Sequence, residues 1–242
     1  MSLKEKVAFI TGASGGIGKE ICLSLAKEGV KIVLFGGTKE DKLKDTAKSL
    51  EEFGGVLGVY AGDLTDDKTL DALFERAIKE IGKIDILINN AGMAFNCDFE
   101  KTEKEILDKI MNINFRSPYL LTQKALPYIK KSNRASIINI ASVVGHVGYP
   151  QQSAYVASKH ALLGFTKSLA NEVYKDGVRV HAISPGGVYT DMIKIARPDL
   201  TAEGMIMPAE IADIVMFLLK NRGNAVIDEI VVHRLNKQPF IV

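Results

Sequence analysis

Only two cysteines, Cys22 and Cys97, occur among the 242 residues. They make neither a metal-ligand spacing nor a disulfide framework, so a thiolate metal site and a stapled scaffold drop out, and both read as bystanders. Charge of one sign is missing too. Thirty-one Lys and Arg stand against 29 Asp and Glu, a net charge of +2 with no long basic run, which gives no electrostatic case for a nucleic-acid partner. No stretch of roughly 18 apolar residues runs together, and the opening MSLKEKVAFI lacks the apolar stretch and small-residue cleavage pattern of a signal peptide. These absences predict a soluble, cytoplasmic protein with no membrane partner and no bound metal. Internal linkers are missing as well. The chain therefore reads as a single domain over 1–242, a length that α/β folds reach in one piece with a large core.

What is present is a regular alternation of short apolar runs and amphipathic stretches. Strands are predicted at 7–11, 31–35, 56–61, 86–89, 136–141, 179–184 and 230–232, and helices at 16–27, 40–53, 67–81, 103–129, 153–174 and 208–220. Runs such as IVLF and SIINIA are apolar almost throughout, which suits a parallel sheet covered on both faces. Repeated strand–helix–strand units imply right-handed crossovers. The expected architecture is a doubly wound Rossmann-type α/β fold with a seven-stranded parallel sheet flanked by helices on both faces. Such sheets bind ligands beyond the carboxyl ends of their strands, and Gly12, Asn90, Ser142 and Pro185 all fall at or just after those ends.

Two motifs carry chemistry. The first follows KVAFIT at 6–11, where a strand runs into Gly12-Ala13-Ser14-Gly15-Gly16-Ile17-Gly18 and then a helix. Glycines let the backbone approach a ligand closely, and the exposed N–H groups of a helix N-terminus favour a pyrophosphate. The second is Tyr155 and Lys159 in YVASK, thirteen residues after Ser142. On a helix, positions i and i+4 share a face, so an ammonium lies near a phenol. An adjacent cation stabilises the phenolate, and a phenol tuned in this way can give a proton to a carbonyl oxygen or take one from an alcohol. Ser142 can supply a second hydrogen bond to that oxygen.

Taken with Asn89-Asn90-Ala91-Gly92 and with Pro185-Gly186, Val188 and Thr190, these motifs resemble the short-chain dehydrogenase/reductase family. T-G-A-S-G-G-I-G at 11–18 is similar to that family's T-G-x-x-x-G-x-G, and the later segments to its N-N-A-G and P-G-x-V-x-T. The resemblance implies a nicotinamide-dependent oxidoreductase acting on a carbonyl or secondary alcohol. Tyr155 would be the general acid or base, Lys159 would lower its pKa and bond the nicotinamide ribose, and Ser142 would polarise the substrate carbonyl. Asn114 would hold a relay water. Gly12, Ser14, Gly16, Ile17 and Gly18 would line the pyrophosphate, Asp63 and Leu64 the adenine, and Asn90, Ala91 and Gly92 the adenosine side. Pro185, Gly186, Val188 and Thr190 would border the carboxamide. For Asp63 an exposed loop carboxylate ahead of a helix, with Thr65 or Asp66 as the cap, is the competing reading.

Several positions depart from the family pattern. Where NAD-using members carry an acidic residue at the end of the second strand, this chain has Gly36, and no carboxylate there repels a 2′-phosphate. The Arg or Lys that NADP-using members place in the glycine turn or just after the second strand is missing too, with Gly15 and Gly37 standing there, but Thr38, Lys39 and Lys42 lie close by in sequence, so the balance tilts slightly to NADP(H) over NAD(H). His181 replaces the usual Asn and is given no role; His146 and Tyr149 are candidates for the substrate pocket. A short lid is expected at about 191–207, with Met192, Ile193, Ile195 and Met205 suggesting an apolar or modest-sized substrate. The C-terminal VIDEIVVHR (226–234) is more like broad-specificity carbonyl and hydroxy-acid members than fatty-acid-synthesis reductases. In the family the helices corresponding to 103–129 and 153–174 pair across a two-fold axis, so the resemblance implies a homodimer or homotetramer, whose close helix approach Ala157, Ala161, Gly164, Ser168 and Ala170 would permit; packing on the sheet within one subunit is the competing reading. A catalytically idle nucleotide sensor or scaffold on the same fold is the alternative function. An epimerase or dehydratase of the longer-chain branch needs an extra substrate domain for which this length leaves no room.

Overall fold

The computed structural model describes residues 2–196 and 201–238. Its centre is a seven-stranded parallel sheet in the order β3-β2-β1-β4-β5-β6-β7. The strands are β1 (Val7–Thr11), β2 (Lys31–Gly36), β3 (Val56–Ala61), β4 (Ile86–Asn89), β5 (Ser136–Ile140), β6 (Arg179–Pro185) and β7 (Glu229–Val232). Side chains alternate across the pleat, and the parallel register aligns them in rows. Ile10 pairs with both Leu34 and Ile88, and Ile88 in turn with Ile138. Odd and even positions of each strand therefore feed two separate cores.

One core takes Ala8, Ile10, Ile32, Leu34, Ile86 and Ile88 against α1 (Gly16–Lys27), α2 (Glu40–Ser49) and α8 (Pro208–Lys220). The opposite face takes Val7, Phe9, Val33, Phe35 and Leu87 against α3 (Asp67–Ile81), α5 (Ser117–Ile129) and α6 (Ser153–Val173). This is why the strands read as unbroken apolar runs. Every strand residue of β1, β4 and β5 is buried, because both faces carry helices.

Element boundaries follow the sequence expectation closely, with one informative departure. The long helix expected over 103–129 is broken into α4 (Lys104–Met111), a π-helical turn (Asn112–Arg116) and α5. Pro118 carries no N–H to close the ordinary helical bond onto the Asn114 carbonyl, and a widened turn absorbs the mismatch. That turn leaves Asn114 completely buried. Similarly, the helix expected to reach residue 53 stops at Ser49 and ends in a 3-10 turn (Glu51–Phe53) closed by left-handed Gly54. A further short helix, α7 (Asp191–Ala196), opens the expected lid segment.

The order of strands fixes where a ligand goes. After β3 the chain crosses back over β1 to start β4, so β1 and β4 are neighbours whose following connections diverge. A crevice opens at that switch point, between Gly12 and Asn90.

Candidate active site

A cleft of about 580 Å³ runs along the carboxyl ends of the strands. One end is built by the glycine turn. Gly12 and Gly16 have φ of +64° and +50°, the left-handed region that side-chain-bearing residues rarely adopt. At Gly18 the constraint is steric: a Cβ would sit 2.1 Å from the Gly12 carbonyl oxygen and 2.7 Å from Asn90 Nδ2. Asn90 ties the two loops together, its Nδ2 donating to the carbonyls of Thr11 (3.0 Å) and Gly12 (3.1 Å). Thr11 Oγ1 accepts from the backbone N–H groups of Asn90 and Ala91, both at 2.9 Å.

The α1 N-terminus has no side-chain cap and no acidic residue in its first turn. Its N–H groups and the positive end of the helix dipole are thus directed at the cleft, beside Gly15, whose Cβ position meets nothing within 4 Å. That cradle fits a nucleotide pyrophosphate. Asn89 faces the other way. It joins a buried polar chain in which its Nδ2 donates to Thr122 Oγ1 (3.0 Å) and Asn139 Oδ1 (2.8 Å), while Asn139 Nδ2 donates to Thr166 Oγ1 (2.8 Å).

At the other end of the cleft stand Ser142, Tyr155 and Lys159, as the sequence expects. Ser142 follows β5 and caps the short turn after it, its Oγ accepting from Val144 N and donating to Pro185 O, both at 3.3 Å. Tyr155 and Lys159 lie one turn apart on α6, with the Lys159 ammonium 5.9 Å from the phenol ring centroid. Lys159 is 5% exposed and its Nζ donates to the Ile140 carbonyl at 2.8 Å. Burial lowers its pKa to about 8. Burial also raises that of Tyr155, against which the hydrogen bond with Ser142 pulls downward. Of the two effects desolvation is the larger, so the phenol is shifted upward.

Asn114 packs behind this group. Its Oδ1 accepts from Met93 N (2.8 Å), and its Nδ2 donates to Met93 O and Ser158 Oγ (2.9 Å each). The amide thus clamps the loop after β4 onto α6. Gly92 has to be small here, since a Cβ would lie 3.0 Å from Asn114 Oδ1.

Other expected contacts fall outside the lining of the cleft. Asp63 is exposed and accepts from Thr65 N (2.9 Å) and Thr65 Oγ1 (2.7 Å), while Asp66 caps α3. Leu64 is buried in the core. Neither Thr38 nor Lys39 lines the cleft, whereas Lys42, one turn into α2, does. Gly36 is covered by Leu43: a Cβ there would lie 2.5 Å from Leu43 Cδ1, so the place where an acidic side chain would stand is filled. Val188 and Thr190 line the cleft with Pro185 and Gly186.

Of the two pocket candidates, Tyr149 lines the cleft and His146 does not. His146 Nε2 lies 2.7 Å from Glu229 Oε1, an oxygen that also accepts from Ser184 Oγ at 2.5 Å. His181 is buried with Nδ1 2.6 Å from Ile227 O, the position of a structural residue. Cys22 is buried and desolvation pushes its thiol pKa far up, so it is inert. Of the lid, Ile193 lines the cleft and Met205 is buried against Gly187. Residues 197–200 and the side chains of Met192 and Ile195 lie outside the described residues. Sequence reading passed over Met93, Asn96, Gln152, His233, Arg234 and Lys237, all of which line the cleft. The C-terminal three carried a visible signal, a cation-rich run directly after a strand.

Among the described residues no group of His, Cys, Asp or Glu is placed to hold a metal, and no helix is long and apolar enough to cross a membrane. A family model described as short chain dehydrogenase matches residues 6–201. Over 240 residues the chain is 32% identical to a 3-oxoacyl-(acyl-carrier-protein) reductase of Thermotoga maritima, spanning 96% of this chain and 97% of that protein. An alcohol dehydrogenase of the archaeon Thermococcus sibiricus, solved with 5-hydroxy-NADP, matches with a TM-score of 0.88 at 25% identity, over 98% of this chain and 100% of that one. A 3-ketoacyl-(acyl-carrier-protein) reductase of Brucella melitensis, solved with NADH, matches at 0.84 and 29% identity, over 96% and 97%. The chain belongs to the short-chain dehydrogenase family and is a nicotinamide-dependent oxidoreductase acting between a carbonyl and its alcohol.

Proposed function

We propose that Tyr155 is the general acid and base of this oxidoreductase, working with Ser142 and Lys159 on a small carbonyl compound or secondary alcohol. The observation that carries the reading is the shared cleft. Ser142, Tyr155 and Lys159 border one end of it and Gly12, Ser14, Gly15, Gly16 and Ile17 of the glycine turn the other, with Gly18 packed behind them against Gly12 and Asn90. A bound nicotinamide supplies or accepts hydride at the substrate carbon. The Ser142 hydroxyl holds the substrate oxygen beside the phenol, and Tyr155 delivers the proton that this oxygen gains on reduction. Lys159, charged below about pH 8, stabilises the phenolate left behind and bonds the ribose. Reprotonation would run through a water held by the Asn114 carbonyl, which Pro118 cannot engage as its ordinary helical donor.

The cofactor reading favours NADP(H). Leu43 leaves no space for a carboxylate at Gly36, and Lys42 brings a cation to the adenosine end of the cleft. Gly12, Ser14, Gly16, Ile17 and Gly18 hold the pyrophosphate, with Asn90, Ala91 and Gly92 beside them and Pro185, Gly186, Val188 and Thr190 at the carboxamide. The chain acts as a single catalytic domain.

Steady-state assays on the wild type and Tyr155→Phe, with NADPH and with NADH, test the reading. Removing one proton-transfer group costs about 10²–10⁴-fold in kcat, while cofactor binding, followed by fluorescence of the reduced nucleotide, stays within about twofold of wild type. Near-normal turnover of Tyr155→Phe would remove the mechanism, and a strong NADH preference would remove the cofactor assignment.

A further inference from the structure

The substrate end of the cleft has a second charged feature. Two residues past β7 the chain places Arg234 beside the loop that follows β6, and β7 itself is held there by Gly186 N donating to Val232 O at 2.8 Å. The Arg234 side chain runs along this loop. A Cβ on Gly187 would lie 3.2 Å from Arg234 Cδ, tighter than ordinary contact, so this glycine makes room for the arginine, whose Cγ passes at contact distance from Gly186. The same loop begins with Pro185, whose carbonyl accepts from Ser142 Oγ. The guanidinium is thus carried by the same β6 end that supports the catalytic serine. Among the described residues its side-chain partner is the Met205 sulfur, at 3.3 Å from Nη1, a weak acceptor for a fork built to take two oxygens.

Neighbouring groups share this character. Lys237, its backbone N–H bonded to Arg234 O, and His233 also line the cleft. His233 Nε2 is enclosed and meets no hydrogen-bond partner among the described residues. Among the described residues Asp191 is the one acidic side chain in the lining, and Lys194 lies 3.4 Å from it. Glu203 borders a separate outer hollow that Arg234 also touches.

Resting on the oxidoreductase reading above, we infer that Arg234, supported by His233 and Lys237, is an anion site that selects carbonyl substrates bearing a carboxylate. The substrate class is therefore short oxo acids and the matching hydroxy acids, with the carboxylate on the guanidinium and the carbonyl between Ser142 and Tyr155. A guanidinium fork takes a carboxylate in two parallel hydrogen bonds, and Met205 supplies an apolar flank for the short carbon chain.

The test compares 3-oxobutanoate and 4-oxopentanoate with their methyl esters, in wild type, Arg234→Met and Arg234→Lys. The ester keeps the carbonyl and removes the charge. In the wild type kcat/KM for one of the acids exceeds that of its ester at least tenfold. In Arg234→Met the acid falls about 100-fold, mainly through KM, while the ester changes less than threefold, and Arg234→Lys recovers part of the loss. Butanoate, which cannot be reduced, binds the NADP⁺-loaded wild type in calorimetry and loses that binding in Arg234→Met. Acid and ester turned over equally by the wild type, or falling together in Arg234→Met with unchanged melting temperature, overturn the anion site. Absence of turnover with acids, esters and neutral ketones alike overturns the oxidoreductase assignment of the cleft itself. Because Arg234 is half-buried, thermal melting of both variants separates misfolding from lost recognition.

Discussion

The catalytic end of the cleft is governed by desolvation of individual side chains. Lys159 is charged only while the pH is below its depressed pKa of about 8, and Tyr155 stays protonated across the neutral range because burial raises its pKa. In the proposed mechanism reduction needs both a phenol proton and a cation to hold the phenolate. As pH rises through about 8 the cation is lost first, so kcat/KM for reduction stays level at neutral pH and then falls about tenfold per pH unit. A pH profile with NADPH and a neutral ketone reads this directly, and a plateau extending past pH 10 would place the limiting group elsewhere. That Tyr155, Lys159 and Ser142 border one cleft was legible from their spacing taken together with the glycine turn and the family resemblance, since a helix and a strand end fix their neighbourhood. The direction of the Tyr155 shift was not, because desolvation depends on what packs around the ring. Thr38, Lys39 and Asp63 show the same limit: nearness in sequence to a strand end does not say which side chain turns into a cleft, and Lys42 does so from a helical turn further on.

At the scale of elements, the amino ends of the strands are held by Asp85, which the motifs gave no reason to notice. It is wholly buried just before β4, accepts from Val7 N at 2.8 Å and from Ser132 Oγ, and has Lys83 and Lys6 at 3.0 and 3.4 Å. Burial by itself raises its pKa, but these donors and cations outweigh that and lower it. A carboxylate whose folded pKa is depressed contributes stability above its unfolded value and loses that contribution as pH falls through the folded one. Asp85→Ala therefore costs about 3–5 kcal/mol at pH 7, read as a fall in the urea midpoint. The gap to wild type narrows in strong acid. A loss below about 1 kcal/mol at pH 7 would show that water replaces the carboxylate. The break between α4 and α5 belongs to this scale too. The sequence reading took 103–129 as one helix and passed over Pro118; in the structure Asn114, packed on Met93 and Ser158, sits where the chain widens its turn and does not stop.

For the whole molecule, the open question is what covers α6. Ala157, Gly164 and Ser168 are exposed along it and Ala161 is half-exposed, while Ala170 packs into the core, so packing on the chain's own sheet explains only the last of them. Nothing lies within 4 Å of a Cβ on Gly164. The proposed homodimer or homotetramer would close this face, and Gly164→Trp would then block it without disturbing the fold. Light scattering at micromolar concentration would show the wild type as an assembly and the variant as a smaller species with unchanged circular dichroism. A monomeric wild type would end the proposal.

Local pattern in the sequence determined the order of strands and helices, the parallel sheet and the two motifs that meet over it. Those are consequences of apolar periodicity, glycine geometry and helical spacing, which act over a few residues. Tertiary structure alone decided which cations enter the cleft, how far burial moves Tyr155 and Lys159, and that a C-terminal arginine comes to lie beside the loop bonded to Ser142. These depend on groups far apart in the chain sharing one desolvated space, where distance and dielectric set the energies.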